Sequence, residues 1–266
     1  YMIAYYGAAF EEINLSSLEK LGEGAFAGCT ALKKVVLGDN ITFIPDRAFL
    51  QCQSLDTINL SKVTKIGANV FLNTALTTVE IPCVTEIGKY AFSECENLIS
   101  VVLNENGVVI NEGAFSNCGI LANVENLDKA TYIGDYAFAY TSLTNVDLSS
   151  AEYIGSLAFA KESLTEFAVV LGENIQSFGE NPFAYCDLEA FSSFEVIEFN
   201  GKEYRVPTYT FDINDNVKVI NGSLYFKVPY GLEYVCFAGD SNTEYVADDT
   251  VRISAYAFAG SHIKSV

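Results

Sequence analysis

The sequence predicts a mostly β solenoid, a coil of stacked units of about 22 residues, each giving one short strand and a turn or short helical bend. Three observations carry the prediction. The dipeptide Ala-Phe recurs at a nearly fixed interval along most of the chain. Most returns are followed by an alternating Val/Ile-x-Leu piece, the period-two pattern of a half-buried strand. Half of the 266 residues are hydrophobic and only 18% are charged, which supplies apolar material for a sizeable core and argues against disorder.

The dipeptide appears as Ala25-Phe26, Ala48-Phe49, Ala91-Phe92, Ala114-Phe115, Ala137-Phe138, Ala158-Phe159 and Ala257-Phe258. Val70-Phe71 and Pro182-Phe183 stand in for it, and Ala4-Tyr5 is a variant. From Tyr5 to Phe183 the aromatic positions are 21, 23, 22, 21, 23, 23, 21 and 24 residues apart. Five or six residues after the aromatic comes an aliphatic: Leu32, Leu55, Leu76, Leu98, Leu121, Leu143, Leu164, Leu188 and Ile263. The strand piece is next, as in Val35-Val36-Leu37, Ile58-Asn59-Leu60, Val79-Glu80-Ile81, Val101-Val102-Leu103 and Val146-Asp147-Leu148. A second aliphatic then precedes Gly or Pro, as in Ile44-Pro45, Ile66-Gly67, Ile87-Gly88, Ile133-Gly134 and Ile154-Gly155, which punctuates a turn. One such unit cannot enclose its own apolar face. Stacked units can, because aliphatic and Phe positions become continuous internal ladders. At ~4.8 Å between strands, the stack would extend roughly 40 Å.

The unit Ile-Gly-x-x-Ala-Phe-x-x-Cys-x-x-Leu-x-x-Val-x-Leu, cleanest over Leu21–Leu60 and Ile66–Leu103, resembles the BspA-type (Treponema pallidum-type) leucine-rich repeat. The fold expected is therefore a leucine-rich-repeat solenoid. The resemblance covers about residues 1–190 and returns near the chain end. It implies a surface or secreted protein of a host-associated bacterium, acting in adhesion or in binding of a protein such as a host matrix protein.

The 75 residues between Phe183 and Phe258 lose the motif. The organisation expected is repeats over 1–193, a hairpin-containing insert over 194–250 that continues the solenoid, and a truncated returning repeat over 251–266. Within the insert, Lys218–Phe226 reads as a hairpin about Asn221-Gly222. The opening Tyr1–Tyr6 has neither a basic nor an apolar leader region, and Ile263–Val266 looks like the middle of a unit. The chain is accordingly read as trimmed or mature, and its location rests on the resemblance.

Composition excludes several classes. Asp and Glu number 34 against 15 Lys and Arg, a net charge of −19, which argues against a nucleic-acid partner. Apolar runs such as Val108–Ile110 are too short for a transmembrane segment. Seven cysteines are present, and Cys29, Cys52, Cys95, Cys118 and Cys186 each lie three residues after a Phe. A repeat-locked Cys reads as a small buried core residue, although neighbouring rungs would bring Cys29 to Cys52 and Cys95 to Cys118, within disulfide range. No Cys-x-x-Cys pair supports a metal site. The one histidine, His262, reads as an edge residue. Gly22, Gly24 and Gly28 have the wrong spacing for a nucleotide loop, and Asp212–Asn216 lacks the Gly and Glu of a calcium loop. The chain is therefore expected to be no enzyme and to carry no cofactor.

What remains is surface. Residues flanking the buried Val or Ile of each strand should face outward. The candidate ligand-facing set is Glu12, Asn14, Asn59, Glu80, Glu125, Asp147 and Glu166, with Lys34, Thr57, Thr78, Ser100 and Asn123 beside them. A polar, carboxylate-rich row of this kind suits a basic or hydrogen-bonding protein partner. The alternative is a structural spacer that displays another domain, with no ligand on this segment.

Overall fold

The computed structural model describes residues 10–163 and 165–187. Past these it describes the strands Ser193–Phe199, Lys202–Thr208, Phe211–Asp212, Val217–Ile220, Ser223–Val228, Gly231–Cys236 and Thr250–Ile253. Tyr5, Leu164, Leu188, most of the calcium-like stretch, Ala257-Phe258 and His262 lie outside the described residues.

The repeat forms a parallel β-solenoid, with two strands per rung where one was expected. The Val/Ile-x-Leu pieces make a first ladder: Glu12–Leu15, Lys34–Leu37, Thr57–Ile58, Thr78–Glu80, Ser100–Val102, Asn123–Glu125, Asn145–Leu148 and Ala168–Leu171. The aliphatic before Gly or Pro makes a second ladder, a single seven-stranded parallel sheet of Phe43–Ile44, Lys65–Ile66, Glu86–Ile87, Val108–Ile110, Ala130–Ile133, Tyr153–Ile154 and Ser177–Phe178. These pieces are mostly two residues long, too short for sequence alternation to reveal. Stacking makes them strands, because every rung offers its neighbour the same backbone groups. Their inner positions, Ile44, Ile66, Ile87, Ile110, Ile133 and Ile154, are fully buried.

The Ala-Phe segment forms a third side from turns, the first of the two forms expected, and among the described residues Leu127–Lys129 is the one short 3-10 helix. Phe49 N–H donates to the Val70 carbonyl at 3.1 Å, Phe92 N–H to Ala114 and Phe115 N–H to Ala137, both at 2.8 Å. The residues two before and two after each Phe hold positive φ at every position but Lys161, as at Arg47 and Gln51 (58° and 57°) or Asn69 and Asn73 (55° and 56°). This left-handed geometry directs the N–H groups along the solenoid axis. Inside, Phe26, Phe49, Phe71, Phe92, Phe115, Phe138, Phe159 and Phe183 stack as one ladder with centroids 5.1–5.6 Å apart. Gly88 shows how close the rungs come: a Cβ there would lie 2.4 Å from the Gly67 carbonyl carbon.

The Cys slot has a hydrogen-bonding reason. Cys52, Cys95, Cys118 and Cys186 donate their S–H to the Phe carbonyl one rung back, at 3.0–3.3 Å. Cys29, Cys52, Cys95, Cys118 and Cys186 are buried thiols outside any disulfide, while Cys83, off the repeat slot, is exposed. Burial pushes the Cys52 and Cys186 thiols up to about 12. In two rungs the slot holds Thr instead, and Thr74 and Thr141 donate to their own Phe carbonyls at 3.0 and 2.9 Å.

Those two rungs are also one residue shorter between Phe and strand. Nine residues separate Phe49 from Ile58 and Phe92 from Val101, against eight from Phe71 to Val79 and from Phe138 to Val146. The first ladder is cut at these rungs, between Ile58 and Thr78 and between Glu125 and Asn145.

Beyond residue 187 most described pairings are antiparallel, while Gly231–Cys236 and Thr250–Ile253 pair parallel. Val217–Ile220 pairs with Ser223–Val228, the expected hairpin. Val235 joins the same buried cluster as the solenoid core.

Candidate functional site

The first ladder carries the outward set. Its register aligns Glu12 with Lys34 and Thr57, then Thr78 with Ser100 and Asn123, then Asn145 with Ala168. Two residues along, Asn14 meets Val36, Val102 stands between Glu80 and Glu125, and Asp147 meets Val170. Glu12, Asn14, Asn59, Glu80, Glu125 and Asp147 are all exposed.

Glu166 is not in this row. It lies on Thr165–Glu166, which pairs with Cys186–Asp187, while Ala168–Leu171 continues the ladder. The reason is length: ten residues separate Phe159 from the ladder's Val169, so counting from Phe159 stops short of the strand.

Three of the remaining residues have a local duty. Asn14, Asn59 and Asp147 accept the N–H of Ser16, Ser61 and Ser149 through Oδ1, at 2.9, 3.0 and 2.9 Å. Each closes the turn that ends its strand. The signal was present as Asn/Asp-Leu-Ser in three units. Glu80 and Glu125 have no such duty and make no ion pair among the described residues. Lys33, Arg47, Lys65 and Lys89, by contrast, are paired across rungs with Glu11, Glu23, Glu86 and Glu112 at 2.6–2.9 Å. The carboxylates of the row are left uncompensated. Val36 and Val170, 39% and 54% exposed, add apolar surface to it.

The cut between Glu125 and Asn145 opens two adjoining cavities that share Leu143. One, about 240 Å³, is bounded by Asn123, Asn126, Asp128, Asn145 and Asp147. The other, about 330 Å³, lies between Tyr140, Ser142, Glu162 and Lys161. Lys161 was not singled out from the sequence, since it occupies a slot that varies freely. Its side chain is buried, and Nζ donates to the carbonyls of Thr141 and Leu143 at 2.9 and 2.6 Å. Nζ also stands 5.1 Å from the Phe167 ring centroid. Burial lowers its pKa to about 8. The amine thus caps carbonyls of the shortened Phe138 rung and closes the end of the cavity.

Among the described residues no group of three or more His, Cys, Asp or Glu is placed to hold a metal ion, and no helix is long and apolar enough to cross a membrane.

A family model described as the BspA type leucine rich repeat region, in six copies, matches residues 2–83 and 64–189. A leucine-rich repeat protein of Bacteroides ovatus has the same fold, with 24% identity, TM-score 0.50, and coverage of 65% of this chain and 58% of its own. A leucine rich repeat protein of T. pallidum is 32% identical over 49% of this chain and 63% of its own, with TM-score 0.46. A leucine rich cell surface protein of Faecalibacterium prausnitzii is 21% identical, with TM-score 0.43 and coverage of 94% of this chain and 51% of its own. The chain therefore spans 51–63% of the length of these structures. No curated protein matches it in sequence.

Proposed function

The chain belongs to the BspA-type leucine-rich repeat family, and on that footing we propose that it is a non-catalytic binding or adhesion module of an extracytoplasmic bacterial protein. Its ligand is a protein with a basic face, a host matrix protein being the first class to test. The observation that carries this reading is the first-ladder face. Glu80 and Glu125 stand there exposed, in register about Val102 and with no ion pair among the described residues, while Lys33, Arg47, Lys65 and Lys89 are spent on cross-rung pairs. Uncompensated charge of one sign steers a complementary partner and fixes its orientation.

The experiment compares wild type with Glu80→Lys/Glu125→Lys in capture of purified matrix proteins. Exposed substitutions of this kind should change stability by less than about 0.5 kcal/mol. Capture should weaken, and the wild-type association rate should fall as salt rises, since such charges are screened over about 8 Å at physiological ionic strength. Equal, salt-insensitive capture by both proteins would move the site off this face. No capture by either would favour the spacer.

A further inference from the structure

The second cut in the first ladder leaves two strand edges facing each other with no ladder between them. Asn123–Glu125 ends one sheet and Asn145–Leu148 begins the next, although their rungs are neighbours and the Phe115 and Phe138 rings stack at 5.2 Å. In a parallel ladder the N–H and C=O of one residue face one neighbouring strand, and those of the next residue face the other. Asn123 N–H donates back to the Ile99 carbonyl, and the Glu125 carbonyl accepts from Leu103 N–H. The backbone groups of Val124, between them, therefore face forward into the cut. On the other side Ala168 N–H donates to the Thr144 carbonyl, so Val146 faces forward and Asn145 and Asp147 face back into the cut. Among the described residues no backbone hydrogen bond reaches Val124 N–H or C=O, Asn145 C=O or Asp147 N–H. An open edge of this kind is a template on which a further strand adds.

The side chains around the opening suit one kind of strand. The cavity of about 240 Å³ at the cut is lined on its apolar side by Val124, Leu143 and Val146 and on its polar side by Asn145 and Asp147. Glu125 and Asp147 are exposed and follow Val124 and Val146 on the two facing strands. The same stretch holds Glu125, Asp128 and Asp147 against Lys129, which is paired with Asp128 at 2.6 Å, so negative charge is in excess. In the adjoining cavity the Lys161 amine is turned onto backbone carbonyls. A strand laid in the cut sets alternate side chains inward, toward Val124 and Val146, and outward, between Glu125 and Asp147.

We infer that the second cut receives an extended segment of the protein partner, added as a β-strand parallel to Asn123–Glu125, with apolar side chains facing inward and basic ones outward. Val124 N–H and C=O hold the segment's backbone, and Glu125 and Asp147 select its charge. The inference rests on the reading of the chain as a binding module for a basic protein, and it places the recognition of one segment at a single point of the first-ladder face.

The test measures fluorescence anisotropy of the labelled peptide Thr-Val-Arg-Val-Arg-Val-Thr with the intact chain at physiological salt. Wild type should bind it saturably, and the same peptide with Gln in place of Arg far more weakly. A third peptide, N-methylated on the backbone of both arginines, keeps every side chain and the charge but cannot donate to the Val124 carbonyl as a parallel strand. Its affinity should be lower by about tenfold or more. Val124→Pro removes an N–H that no rung uses, and it should weaken the unmodified peptide to a similar degree. The methylated peptide decides the matter even if that variant fails to fold. Absence of binding, equal binding of the Arg and Gln peptides, or unchanged affinity on N-methylation would overturn the inference. Matrix-protein capture that depends on Glu80 and Glu125, without binding of the peptide, would also overturn it while leaving the first-ladder reading intact. Peptide binding with these signatures but no matrix-protein capture would support the strand site and remove the matrix partner.

Discussion

The two strand ladders come from the same rungs, yet the second runs unbroken through seven strands while the first is cut twice. Position relative to Phe explains the difference. The second ladder's last residue stands five positions before Phe in every strand, from Ile44 and Phe49 to Phe178 and Phe183, so the stacked rings hold it in register. The first ladder follows Phe across a segment that varies in length, and it is cut where a shortened rung meets the rung before it, although that rung still pairs in register with the one after. Where the Cys slot is Thr, the hydroxyl turns back to its own rung instead of reaching the rung before. The rigid side is therefore the aromatic one, and the variable, cavity-bearing side is the candidate binding face.

The largest test of that contrast is on the aromatic side. Phe92→Ala and Phe115→Ala should each cost about 3–5 kcal/mol in denaturant unfolding, because a fully buried ring leaves a cavity between fixed neighbours. Val79→Ala, on the cut ladder, should cost clearly less.

Lys161→Met sharpens the comparison at the second cut. Removing the amine strands the Thr141 and Leu143 carbonyls, a loss of about 1–3 kcal/mol. The pH dependence gives an independent signature. The folded pKa of about 8 lies below the ordinary lysine value of 10.5, so between them the unfolded chain binds more protons. Lys161 therefore makes wild-type stability rise as pH climbs through that window, and the contribution is absent below it. The Met variant should lose this slope, measured from unfolding curves at pH 7.5 and about 10.

Much of this was legible in the sequence, and the limits have physical causes. The Phe ladder, with Phe49, Phe92, Phe115 and Phe138 buried as one stack, follows from the recurrence of Ala-Phe alone. The second ladder did not, because two-residue strands have no period of their own and exist only through their neighbours. Glu80 and Glu125 were correctly read as outward from alternation. Glu166 was misplaced because counting from Phe fails where the rung length changes. The duty of Asn14, Asn59 and Asp147 was written locally in Asn/Asp-Leu-Ser. The role of Lys161 depends on two carbonyls about 20 residues away, which no local pattern encodes.

The smallest expected effect concerns the thiols. Native protein should alkylate rapidly at Cys83, while Cys52, Cys95, Cys118 and Cys186 should wait for unfolding, as mapped by mass spectrometry. Rapid native labelling of Cys95 would show that the carbonyl-bonded Cys slot is open.

The account turns on rung length setting ladder continuity, and one measurement addresses it directly. Thr74→Cys combined with insertion of one Ala after Ala75 gives the Phe71 rung the Cys-x-x-Leu spacing of its neighbours. Hydrogen exchange should then slow over residues 57–60 and the strand now at Thr78–Glu80, reaching the protection of Ser100–Val102 as the two halves of the ladder join. A folded variant whose exchange there stayed at the wild-type rate would contradict the claim.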